Sequence, residues 1–364
     1  MPKQSKGATV GLVVIALLLV ACTGREGGSP SPEVCGDGIV GATEACDDGN
    51  ESDLDGCTSR CQLARCGDGI VRVDRPHGSP GFESCDDALG EESTLCGPDC
   101  YFRPPEHLGG PRPAQFYLPP DYDPKVRSPL MVLLHGFGQN AELIDRQMGG
   151  RAHQASLGYI LIRPEGTLSE HDGRKFWNAT AACCNFHGSP VDDLAYLTGL
   201  IDEAVERLYA DPKRVYIMGL SNGGFMAERI ACDAAEKVTG IINVGGSGFV
   251  DPHRCQPRVP VTYLRVHGTE DATIPFAGQH NMPGAVESVT RWRQHNGCQT
   301  TLEEGFEDLD DNVEGAEAHH RAWSNCEGGS AVHLFALEGG AHVPRFSARS
   351  RERLMTLVME RARP

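Results

Sequence analysis

The chain has 364 residues, 40% of them hydrophobic, and a formal net charge of −17 at pH 7. That length leaves room for two or three domains, and the apolar content is enough for a packed core. The strongly negative balance excludes nucleic acid and anionic membrane surfaces as electrostatic partners.

Lys3 and Lys6 precede the apolar run Val10 to Val20, which is too short to span a bilayer comfortably and reads as the core of an export signal. Leu19-Val20-Ala21-Cys22 follows and resembles a bacterial lipobox, whose cysteine is lipidated and becomes the first residue after cleavage. Residues 1–22 are then a lipoprotein signal peptide, with a plain secretory signal as the alternative. Thr23 to Pro32 is polar and carries Gly, Ser and Pro, so residues 23–34 read as a flexible linker. Either signal places the mature protein outside the cytoplasm, secreted or held at the envelope (the outer membrane) through the lipid at Cys22 alone. The fifteen cysteines agree: beyond Cys22, eight lie between Cys35 and Cys100 and six between Cys183 and Cys326. Both sets are even, as an oxidised exported protein requires.

Residues 35–103 hold a tandem repeat. Cys35-Gly36-Asp37-Gly38-Ile39-Val40, Cys46-Asp47-Asp48-Gly49-Asn50, Cys57 and Cys61 recur as Cys66-Gly67-Asp68-Gly69-Ile70-Val71, Cys85-Asp86-Asp87, Cys96 and Cys100. Neither copy has the apolar residues for a core of its own, so disulfides are expected to hold it. The pattern resembles the myxobacterial cysteine-rich repeat of secreted and surface proteins. Its Asp-Asp-Gly-Asn and Asp53-Leu54-Asp55-Gly56 stretches are candidates for calcium, but they lack the glutamate of an EF-hand loop and read first as acidic turns.

From about Pro111 strand-like and helix-like segments alternate, which predicts an α/β fold: a mostly parallel sheet flanked by helices, over residues 111–364. Strands are expected at Pro129 to Leu134, Tyr159 to Ile162, Arg214 to Met218, Val238 to Val244, Val261 to Val266 and Val332 to Leu337. Helices are expected at Asp192 to Leu208, from the stripe Leu194, Leu197, Leu200, Ile201, Val205 and Leu208, at Asn222 to Ala231, and at Ser347 to Arg361. Glu303 to Glu317 carries eight acids and no base and reads as a solvated surface loop.

Chemistry enters at Gly219-Leu220-Ser221-Asn222-Gly223, a G-x-S-x-G pentapeptide directly after an expected strand. A serine on such a sharp strand-to-helix turn projects its hydroxyl above the sheet edge, as the α/β-hydrolase arrangement demands. The other parts of that arrangement follow in chain order. His135-Gly136-Phe137-Gly138 succeeds an early strand and aims the Phe137 N–H at a developing oxyanion, with the N–H of Asn222 as second donor. His135 itself lies upstream and reads as structural. His267-Gly268-Thr269-Glu270-Asp271 follows a later strand and offers an acid. Gly339-Gly340-Ala341-His342 follows the last strand and offers the base.

These segments, with Phe176-Trp177-Asn178, Cys183-Cys184, Val191-Asp192-Asp193, Trp292 and Asn296-Gly297-Cys298, resemble the polyhydroxybutyrate depolymerase and feruloyl esterase group. Carbohydrate esterase family 1 and LpqC-type lipoproteins are similar. The resemblance implies the α/β-hydrolase fold, hydrolysis of a polymer-derived, aryl or glycan ester, and a triad of Ser221, Asp271 and His342. Asp271 is chosen over Glu270 on this resemblance as well as on position. No metal or organic cofactor is implied. Trp177 and Phe176 are expected to wall the substrate pocket, with a packed core cluster as the alternative. Cys298 is expected to pair with Cys326 across the acidic stretch, and Cys183, Cys184, Cys232 and Cys255 to supply two more bridges, one of them joining the Cys183-Cys184 pair to Cys232. Gly-Gly-Ala-His-Val343-Pro344 departs from the Gly-Gly-Gly-His-Trp-Pro-Gly common in the group. The alternative functions are an acetyl xylan esterase and a binding or adhesion lipoprotein with a degenerate hydrolase domain.

Overall fold

The computed structural model describes residues 34–76, 78–88, 95–299 and 302–363. The expected signal peptide, Cys22 and the linker up to residue 33 lie outside them. The chain forms two compact units, one ending at Ala64 and one running from Arg65 to Pro364.

In the first unit, Cys35 pairs with Cys61 and Cys46 with Cys57. Its centre is the Asp47 carboxylate, which accepts the N–Hs of Gly36, Asp37, Gly38 and Gly49 at 2.9, 3.2, 2.8 and 2.9 Å. Desolvation works against that charge, but the four backbone donors outweigh it and hold Asp47 below the usual carboxylate value. Asp47, one of the side chains in the candidate calcium stretches, is thus engaged by four backbone N–Hs of the turn. The second repeat copies the device: Asp86 accepts from Gly67, Asp68, Gly69 and Ala88, and Cys66–Cys100 and Cys85–Cys96 close the loops. This repeat lies in the larger unit, against the hydrolase body. Phe102 packs at 5.6 Å from the rings of both Tyr122 and Tyr209, and Lys125 Nζ donates to the Arg72 carbonyl at 2.7 Å.

The larger unit is built on a nine-stranded sheet. In chain order the elements are β1 (Gln115–Tyr117), β2 (Ser128–Leu134), α1 (Ala141–Met148), α2 (Gly150–Leu157), β3 (Ile160–Arg163), β4 (Thr167–Leu168), β5 (Lys175–Phe176), α3 (Asp193–Arg207), β6 (Ala210–Leu220), α4 (Asn222–Asp233), β7 (Gly240–Val244), β8 (Thr262–Gly268), β9 (Gly278–Gln279), β10 (Met282–Pro283), α5 (Ala285–His295), β11 (Glu303–Glu307), β12 (Ala318–Trp323), β13 (Val332–Leu337) and α6 (Ala348–Met359). The sheet order is β1-β3-β2-β6-β7-β8-β13-β12-β11. The six strands from β3 to β13 run parallel, and β1, β12 and β11 are antiparallel additions at the edges.

Parallel strands covered on both faces read as unbroken apolar runs, which is why these strands are visible in the sequence. Their alternate residues serve two cores. Val132, Ile217, Ile241, Tyr263 and Leu334 pack with α3, α4 and α5, whereas Met131, Met218, Ile242, Leu264 and Phe335 pack with α1 and α6. Asp192 caps α3 by accepting the Ala195 N–H at 2.9 Å. This is the expected α/β-hydrolase architecture, a mostly parallel sheet flanked by helices.

Two expectations are corrected. The acidic stretch is not a solvated loop throughout: Glu303–Glu307 is the edge strand β11, and Asp310 and Glu317 are buried. Local hydrogen bonds outweigh the charge repulsion. Glu317 accepts the N–Hs of Leu309 and Asp310, Asp310 accepts those of Asn312 and Arg345, and Glu307 meets Arg353 at 3.1 Å. The cysteine pairing also differs. Cys183 pairs with Cys184 and Cys232 with Cys255, because the helix α4 and the turn after Pro252 bring the latter two to a Cα separation of 4.7 Å, so no bridge joins the 183–184 pair to α4. Cys298 pairs with Cys326. Replacing Cys232 and Cys255 by serine, which opens a loop of 23 residues, should lower stability by about 3 kcal/mol, read by denaturant unfolding of the full chain.

Candidate active site

The end of β6 and the start of α4 are separated by Ser221 alone, and that residue takes the turn at φ 54° and ψ −118°. Its N–H is fixed to the Val244 carbonyl at 2.8 Å. The flanking glycines are there for space. A Cβ on Gly219 would stand 2.1 Å from the Gly223 carbonyl oxygen, and one on Gly223 would stand 2.0 Å from that of Leu134.

His342, in the loop after β13, places Nε2 at 2.9 Å from the Ser221 Oγ. Its Nδ1 lies 2.7 Å from Oδ2 of Asp271, in the loop after β8. A carboxylate can only accept here, so Nδ1 carries the proton and Nε2 is left to accept from the serine hydroxyl. The other Asp271 oxygen accepts the N–Hs of Thr273 and Ile274, both at 2.8 Å. Burial would push this carboxyl up. The hydrogen bonds from His267, His342 and the Ile274 N–H outweigh burial and hold it well below the usual range. The structure thus brings together Ser221, His342 and Asp271, the acid chosen on position and resemblance, while Glu270 is not part of this hydrogen-bonded chain.

The turn after β2 lies beside the serine: the Gly136 Cβ position is 3.5 Å from the Leu220 carbonyl. Gly138 at φ 70° donates to the Lys175 carbonyl at 2.8 Å, and Gly136 N–H donates to Gln139 Oε1 at 3.1 Å. Asn222 is the first residue of α4, where a backbone N–H has no intrahelical acceptor. Phe137 lies in the turn after β2 and Asn222 at the head of α4, the two positions expected from the sequence to supply oxyanion N–Hs. His135 is fully buried and acts within the loop, its Nε2 accepting the Gly166 N–H at 2.9 Å. Burial pushes this imidazole below its usual value, which keeps it neutral.

Trp177 does not wall a pocket. It is fully buried, and its indole N–H, which needs an acceptor away from water, donates to the His135 carbonyl at 2.9 Å. Its backbone is clamped by the Asn222 side chain, which accepts the Trp177 N–H at 2.7 Å and donates to its carbonyl at 3.0 Å. The tryptophan ties the turn after β2 to the start of α4. Sequence reasoning missed this side-chain role of Asn222, since the two residues are 45 positions apart. A cavity of about 350 Å³ does open beside the same turn. Phe137, Leu168, Phe176 and Phe186 form its apolar wall, and His171, Asp172 and His187 its polar side.

The phospholipase/carboxylesterase family matches residues 123–304, half of the 364-residue chain. A domain of unknown function (DUF4215) matches residues 32–62, the first cysteine repeat. NocK of Nocardia uniformis subsp. tsuyamanensis is 29% identical over 161 residues, 44% of this chain and 45% of that protein. Feruloyl esterase B of Piromyces equi is 27% identical over 178 residues, 46% of this chain and 31% of the relative. The bifunctional acetylxylan esterase/xylanase XynS20E of Neocallimastix patriciarum is 23% identical over 236 residues, 65% of this chain and 31% of the relative. The matched stretch therefore spans less than half the length of each of these relatives. With that family match laid over the parallel sheet and the serine turn described above, the chain belongs to the phospholipase/carboxylesterase family of α/β-hydrolases.

Proposed function

We propose that this protein is a serine carboxylic-ester hydrolase acting outside the cytoplasm through an acyl-enzyme. The observation that carries the reading is the unbroken chain from Asp271 through His342 to Ser221, at 2.7 and 2.9 Å. His342 Nε2 takes the hydroxyl proton as Ser221 Oγ bonds to the ester carbonyl carbon, and the carbonyl electrons move onto its oxygen beside the Phe137 and Asn222 N–Hs. Collapse expels the alcohol, which receives the proton from His342. Water then attacks the acyl-serine by the same route and releases the acid. Asp271, ionised well below the usual carboxylate range, holds the imidazole in the required tautomer and balances its transient charge.

Fourteen cysteines paired in seven disulfides among the described residues support an oxidising address, and lipidation of Cys22 is the proposed anchor. Three ester classes fit the resemblance: hydroxybutyrate oligomers, feruloylated glycans and acetylated glycans. The aromatic wall of Phe137, Phe176 and Phe186 beside the proposed oxyanion site favours a flat aryl acyl group, with Phe137 and Phe186 meeting edge-on at 5.3 Å. The names of the Piromyces and Neocallimastix relatives support plant-wall esters in general. The test is a comparison of kcat/KM for methyl ferulate, hydroxybutyrate oligomers and acetylated xylan, with fluorophosphonate labelling in parallel. Labelling at Ser221 and the highest kcat/KM for methyl ferulate are expected. A preference for hydroxybutyrate would overturn the aryl assignment alone, and turnover of no ester together with no labelling would overturn the hydrolase reading.

A further inference from the structure

Behind Asp271 lies a line of buried polar side chains that the reaction steps above do not use. Arg265 and His267 project from β8, and both are fully shielded. The Arg265 Nη2 stands 2.8 Å from His267 Nδ1, and the same nitrogen reaches the Gly246 carbonyl. On its other side Arg265 faces Glu228 of α4 at 3.6 Å and the Tyr263 hydroxyl at 3.3 Å. Glu228 is held in turn by Asn243 Nδ2 at 2.7 Å, Tyr263 at 3.0 Å and Trp292 Nε1 at 3.3 Å. The far ring nitrogen of His267, Nε2, lies 2.7 Å from the Ile274 carbonyl and 3.2 Å from Oδ2 of Asp271.

Donor and acceptor logic fixes the protons along this line. A guanidinium only donates, so His267 Nδ1 must be an unprotonated acceptor. The one ring proton of a neutral His267 is then on Nε2, where both neighbours are acceptors. Asp271 Oδ2 thereby faces two ring N–Hs, that of His342 at 2.7 Å and that of His267 at 3.2 Å, the latter donating chiefly to the Ile274 carbonyl. The same Arg265 secures the carbonyl of Gly246, beside Gly245, whose Cβ position lies 3.4 Å from the His342 Nδ1. One buried cation thus braces both the acid and the loop against which the base packs.

We infer that His267, locked in its Nε2–H tautomer by the Arg265–Glu228 pair, is the positioning residue that orients Asp271 toward His342. The inference rests on the triad proposed above. Any orienting effect must pass through the Asp271 carboxylate, which separates it from a merely structural contribution. Its experiment is a cycle of variants in the full-length chain, with kcat and KM read on one p-nitrophenyl ester and folding checked by thermal melting. His267→Met removes the donor at nearly constant volume, and His267→Gln keeps an N–H donor. In the parent, His267→Met should lower kcat about 10- to 100-fold with KM within about twofold, and His267→Gln should restore most of it. In an Asp271→Asn background, His267→Met should change kcat by less than about twofold. Equal losses in both backgrounds, or no loss in either, would overturn the inference. If Asp271→Asn itself leaves kcat intact, the triad fails instead, and the two failures are distinguishable. Should His267→Met not fold, the parent protein decides: ¹⁵N-histidine spectra, assigned through His267→Gln, should show His267 neutral with its proton on Nε2. A proton on Nδ1 at neutral pH would overturn the inference.

Discussion

Alanine at position 221 should lower kcat for any accepted ester by at least about 10⁴-fold, with the melting temperature within a few degrees of the parent. The size follows from what is lost. Among the described residues only the Ser221 hydroxyl is hydrogen-bonded to His342 Nε2, so the variant has no atom to carry the acyl group. The small effect on folding follows from what stays. Among the described residues the Ser221 hydroxyl is hydrogen-bonded to His342 alone, while its backbone N–H, which holds the turn to Val244, is untouched. Residual turnover should come from water activated by His342 beside the Phe137 and Asn222 N–Hs. Measurement is by p-nitrophenyl butyrate hydrolysis on protein shown to be folded, with fluorophosphonate labelling as an independent readout. Undiminished hydrolysis in Ser221→Ala would remove the serine from the mechanism and with it the acyl-enzyme.

The parts of the molecule that could be read from the sequence are those whose cause is local. Each central strand is a short apolar run because both of its faces are covered, and β13 coincides with the expected Val332 to Leu337. The turns after β2, β6, β8 and β13 were legible because each carries glycine beside a chemistry-bearing residue; at Gly268 a Cβ would lie 2.2 Å from the Gly340 carbonyl. What escaped has causes far away in the chain. Nothing near Trp177 says that its indole N–H will find His135, 42 residues earlier, and so the sequence leaves pocket wall and packed core as alternatives for the ring. His267 sits inside a recognised motif, yet its role depends on Arg265 and, through it, on Glu228 of another element. The edge strand β11 escaped because edge strands need only one apolar face or none, and its Glu307 answers to His320 and Arg353 rather than to a period of two. The pairing of adjacent Cys183 and Cys184 leaves Cys232 and Cys255 to each other, a choice that counting cysteines cannot make.

Gly223→Ala should be the most destructive single-methyl change in the hydrolase body. The residue lies in the first turn of α4, where alanine is normally the better helix former by about 1 kcal/mol, so propensity alone predicts a gain. Space decides otherwise. The added Cβ would stand 2.0 Å from the Leu134 carbonyl oxygen and 2.8 Å from that of His135. Neither is the movable end of a side chain: Leu134 is the last residue of β2, paired in register with Gly219 of β6, and His135 is pinned by Trp177 and Gly166. Relief requires α4 to withdraw from β2, which drags the Asn222 clamp off Trp177 and moves the Ser221 turn away from the Phe137 N–H. The expected loss is about 3–5 kcal/mol, within the range of severe core changes, read as a fall in the denaturant midpoint. Protein that still folds should lose kcat by about 10²-fold or more, since displacement of an oxyanion donor alone has that effect. Unchanged stability and activity in Gly223→Ala would mean that the strand-to-helix turn is not packed against β2 as described, and the geometry assigned to Ser221 would fall with it.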